Sequence, residues 1–106
     1  LEERAREAQR DIMKIQANRI VQDELLEARM LYWDLIYFRE IKKLYEESLK
    51  SNQRNLSGAL RRINAGLATS TDRLEFEVSE IQLTQDLARI TVAIATTQRS
   101  LAALLA

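Results

Sequence analysis

The sequence predicts an all-α fold, two long antiparallel helices closed into a coiled-coil hairpin, and three observations predict it. The 106 residues include no proline and only two glycines, so helix-breaking chemistry is almost absent. Apolar residues recur at alternating spacings of three and four, the signature of helices that pack lengthwise on one another. Around Gly66, a glycine followed by Thr69, Ser70 and Thr71 supplies the one place where the chain can end a helix and begin another.

The first helix is expected over about 1–63. One seam runs through Ala28, Leu31, Leu35, Phe38, Tyr45, Leu49, Leu56, Ala59 and Ile63, with Lys42 and Asn52 in its two polar slots. A second runs beside it through Leu26, Met30, Trp33, Tyr37, Ile41 and Leu44. Two seams on one helix call for two helical neighbours, whereas a two-stranded coiled coil needs one. Upstream, Leu1, Ala5, Ala8, Ile12 and Ile15 form a seam whose phase does not carry into the Ala28 series, which places a stutter between Ile15 and Val21. The dense run Met30–Phe38 is too short to span a bilayer and reads as a section covered on several sides. At about 1.5 Å per residue the whole helix would reach roughly 95 Å, which argues against a compact enzyme domain.

The turn is expected over about 64–70. Gly66 can take the left-handed conformation that closes a helix, and Thr69 with Asp72 three residues on reads as a capping box. Asp72 also suits the positive end of a helix dipole.

The second helix, about 71–105, repeats the doubled pattern. One seam reads Leu74, Val78, Ile81, Gln85, Ala88, Val92 and Ala95, the other Leu83, Leu87, Ile90, Ile94, Thr97, Leu101 and Leu104. Folded back about Gly66, its end lies opposite residues near 30, so residues 1 to about 27 are expected to lack a partner. An apolar arm with nothing to pack against is poorly stable alone, and the chain, one domain over 1–106, therefore reads as a fragment of a larger protein or an obligate oligomer.

Composition removes several function classes. Sixteen basic and sixteen acidic residues balance, which gives no electrostatic case for nucleic acid. Without histidine or cysteine the usual general base and the commonest metal ligands are missing, and no catalytic constellation, metal site or cofactor site emerges. Glu46 and Glu47 are adjacent and diverge, while Glu75, Glu77 and Glu80 read as a solvated face. An enzyme is not expected.

Three segments together resemble the TolC-type outer-membrane efflux protein family. Ala28-Arg29-Met30-Leu31-Tyr32-Trp33-Asp34-Leu35-Ile36 resembles that family's aromatic segment. Arg62-Ile63-Asn64-Ala65-Gly66-Leu67 followed by Thr71-Asp72-Arg73-Leu74 is similar to its hairpin tip, and Leu101-Ala102-Ala103-Leu104-Leu105 to its closing segment. The departures are Ala106, where the family usually has glycine, and length, since members are several times longer, with two α-hairpin repeats and a β-barrel. The aromatic element suggests the first repeat.

The resemblance implies a homotrimer whose barrel crosses the outer membrane and whose helices form a periplasmic tunnel for efflux or type I secretion. Its partners would be a periplasmic adaptor and an inner-membrane transporter. It places Ala65, Gly66 and Leu67 at an adaptor-docking tip, and Thr71 and Asp72 at the tunnel entrance, where a ring of carboxylates would favour cations. Two alternatives stand beside it. A periplasmic adaptor hairpin would carry an Arg with Leu four residues on and Ser seven beyond, but Arg62 meets Gly66 and Arg73 meets Glu77. A generic structural coiled coil predicts one seam per helix.

Overall fold

The computed structural model covers residues 1–106 and consists of two helices, α1 (Glu2–Asn64) and α2 (Ser70–Leu105), joined by one short turn. The molecule measures 96 × 16 × 16 Å, two helix diameters at most in cross-section. Its radius of gyration, 26.2 Å, is about twice the ~13 Å of a compact chain of this length. It is a rod.

One seam from each helix forms the contact. In α1 the series from Ala28 to Ile63 turns inward, with Leu35 and Ala59 buried and Leu31, Phe38, Tyr45, Leu49, Leu56 and Ile63 half-buried. In α2 the series from Leu83 to Leu104 meets it, with Ile90 and Thr97 buried. That second series extends toward the turn through Glu80 and Phe76, both half-buried, which the charge at Glu80 conceals in the sequence. Ala59 is fully covered, and so small a side chain lets the helices approach closely just before the turn.

Asn52 occupies a seam position and is buried, yet it is not an orphan. Its Nδ2 donates to the main-chain carbonyl of Phe76 at 2.8 Å, which ties the helices at one level. Next to it Gln53 Nε2 donates to Glu80 Oε1 at 3.4 Å. No ion pair joins the helices, because Arg73–Glu77 at 2.8 Å and Arg89–Asp86 at 3.9 Å both lie within α2. Apolar packing thus holds the helices together, with one buried amide bond at the level of Asn52.

Residues 1–27 are exposed throughout and helical from Glu2 onward, an arm of roughly 40 Å past the end of α2. The aromatic run differs from the covered section expected of it. Leu35 alone is buried there, and Trp33 is 67% exposed, since only one side of α1 has a neighbour. The second seams stay bare on both helices: Leu26, Met30, Trp33, Tyr37 and Leu44 on α1, and Leu74, Val78, Ile81 and Val92 on α2. Neither helix is long and apolar enough to cross a membrane.

Candidate docking tip and entrance

The turn is built by main-chain hydrogen bonds. Leu67 N–H donates to Arg62 O at 2.8 Å and Gly66 N–H to Ile63 O at 3.0 Å, the paired bonds of a Schellman motif. Ala65 stays near helical geometry (φ −85°, ψ 0°), and Gly66 then takes φ +75°, which a side chain resists. The motif usually brings an apolar contact from the residue after the glycine, but Leu67 is 78% exposed. Ala65, Gly66 and Leu67 therefore form a bare apex, with an unspent leucine at its end.

Beyond the apex, Thr69 adopts extended geometry (φ −100°, ψ 163°) and serves as the N-cap of α2. The capping box expected of it does not form, since neither side chain makes a cap hydrogen bond. The physical reason is local. Asp72 N–H is taken by the main-chain carbonyl of Thr69 at 3.2 Å, so the donor that the threonine hydroxyl would satisfy is already engaged. Aspartate is also one carbon shorter than the glutamate that usually reaches back. In the first turn of α2, Thr71 is exposed and Asp72 half-buried. Thr71 lines a shallow depression with Leu74, Glu75, Val78 and Ser79, open to the outer side of α2.

Charge divides the two sides of the tip. From Ser48 to Asn64, α1 carries Lys50, Arg54, Arg61 and Arg62 and no acidic residue. The facing length of α2 carries Asp72, Glu75, Glu77 and Glu80 against Arg73 alone. The acidic trio is less free than a solvated face: Glu77 pairs with Arg73 and Glu80 accepts from Gln53, which leaves Glu75 unengaged. Lys50, Gln53, Arg54, Ser57 and Arg61 line a depression on α1 without an apolar side chain. Apolar periodicity does not reveal this stripe; its signal in the sequence is the acid-free run from Ser48 to Thr71.

No group of three or more acidic side chains stands close enough to hold a metal ion. No protein-family model, curated protein or solved structure matches the chain.

Proposed function

We propose that the hairpin is a wall segment of a periplasmic tunnel in a TolC-type duct for efflux or type I secretion, with its tip docking a periplasmic adaptor. The observation that carries this reading is the pair of bare apolar stripes. On a wheel of 3.5 residues per turn each outer stripe lies about 150° from the packed seam of its own helix. Helices of a compact three- or four-helix bundle have neighbours about 60–90° apart. Partners on nearly opposite sides build a layer of helices, and a layer closed on itself is a tunnel wall. The 96 Å length suits a spacer across a compartment.

Within that reading the homotrimer, the inner-membrane transporter and the outer-membrane barrel belong to the full-length protein, and the hairpin lies in the periplasm. Ala65, Gly66 and Leu67 would meet the adaptor, with Leu67 as the apolar contact left unsatisfied by its own turn. Thr71 and Asp72 would face the entrance. The test is Gly66→Pro in the full-length protein, since proline cannot adopt the positive φ of this turn. Efflux should fall while the protein still reaches the outer membrane in normal amount. Unchanged efflux would remove the tip assignment, and a protein found outside the envelope would remove the duct.

A further inference from the structure

The bare stripe of α1 does not stop where its apolar residues stop. Met30, Trp33, Tyr37 and Leu44 stand on the outer side, and the same alternation of three and four continues through Ser51, Arg54, Gly58 and Arg61. The continuation swaps apolar side chains for small residues flanked by arginines. Arg54 and Arg61, about 10 Å apart along the helix axis, have no carboxylate within ion-pair distance, and neither does Lys50 beside them.

Gly58 is a second anomaly at the same place. Glycine inside a helix costs about 1 kcal/mol relative to alanine. Here a Cβ would meet nothing within 4 Å, so nothing inside this chain calls for the absence of a side chain. The place it keeps clear is on the outer stripe, between the two arginines.

We propose that the outer edge of α1 is a docking surface for a partner helix of another sequence. That helix carries apolar side chains opposite Trp33 and Tyr37, and carboxylates opposite Arg54 and Arg61, and its backbone passes close to Gly58. The unbroken phase across both halves fits a second helix lying along α1. Glu40 and Glu47 lie in the same stripe and would repel a phosphate backbone or an anionic membrane. The outer stripe of α2 in a second copy is a poor occupant: near the tip it is Leu74, Val78 and Ile81, with Glu75 its one unengaged carboxylate. The inference stands whether or not the chain belongs to an efflux duct.

Trp33 is the only tryptophan and reports on this edge directly. The experiment titrates the 106-residue chain with a synthetic helical peptide carrying leucine and alanine along one half of its stripe and glutamate along the other. A control peptide carries glutamine for glutamate. The glutamate peptide should shift Trp33 emission to the blue and bind about tenfold more tightly than the control at low salt, an advantage that added salt erodes. Arg54→Glu with Arg61→Glu should reverse the preference toward a lysine peptide. Gly58→Gln should weaken binding about tenfold while raising the melting temperature, which separates docking from folding. Equal affinity for the two peptides would overturn the proposal. So would Arg54-dependent binding of a DNA duplex or of phosphatidylglycerol vesicles, or self-association of the chain that the two arginine reversals abolish.

Discussion

The two glycines carry opposite consequences, although the sequence presents them alike. Gly66 holds φ +75°, so Gly66→Ala should destabilise the hairpin by about 1 kcal/mol in a urea titration. Gly58 sits in ordinary helix with open space around it, so Gly58→Ala should stabilise the isolated chain by about 1 kcal/mol. The turn role of Gly66 was legible because the helix pattern breaks there. The openness around Gly58 was not, since it depends on which side of α1 has a neighbour. Asn52 gives the third residue-scale test. The Phe76 carbonyl lies within a helix that supplies its own main-chain donor, so Asn52→Leu orphans nothing and adds apolar burial. The denaturation midpoint should rise, by about 1 kcal/mol in stability, whereas Asn52→Ala should lower it by leaving a cavity. A fall for Asn52→Leu as large as that for Asn52→Ala would show that the amide bond itself holds the register.

The helices themselves were the most readable level, because a seam is a periodicity and periodicity is written in one dimension. The packed series of α1, from Ala28 to Ile63, is the one that the spacing singles out, down to its polar slots at Lys42 and Asn52. What the spacing could not say was whether the second seam would also be covered. Beyond Leu44 that seam runs through Glu47, Ser51, Arg54, Gly58 and Arg61, so the returning helix takes the series that stays largely apolar to the turn. The capping box failed for a related reason: two residue types at the right spacing do not reveal that a main-chain carbonyl has already taken the donor. The arm supplies the prediction at this scale. Residues 1–27 bury nothing, so their helix rests on propensity alone. Their amides should exchange with solvent orders of magnitude faster than those around Asn52 and Ala59. Removing the first 24 residues should leave the stability of the hairpin within about 0.5 kcal/mol of the whole chain. Protection over Ile12–Val21 equal to that around Ala59 would instead mean that the arm has found a partner in solution.

At the scale of the whole molecule, a rod with five buried residues out of 106 has little interior of its own. Its two outer edges leave large apolar side chains bare, Leu26, Met30, Trp33, Tyr37 and Leu44 on α1 and Leu74, Val78, Ile81 and Val92 on α2, and surfaces of that extent are built to be covered. Small-angle X-ray scattering combined with light scattering over a concentration series tests this most directly. Side-by-side association through the bare stripe of α2, insensitive to Arg54→Glu with Arg61→Glu, is the expected result: the particle stays close to 96 Å long while its cross-section grows beyond 16 Å. A discrete two-stranded dimer that buries only the inner seams, or a monomer that holds its 96 × 16 × 16 Å shape at every concentration, would contradict it.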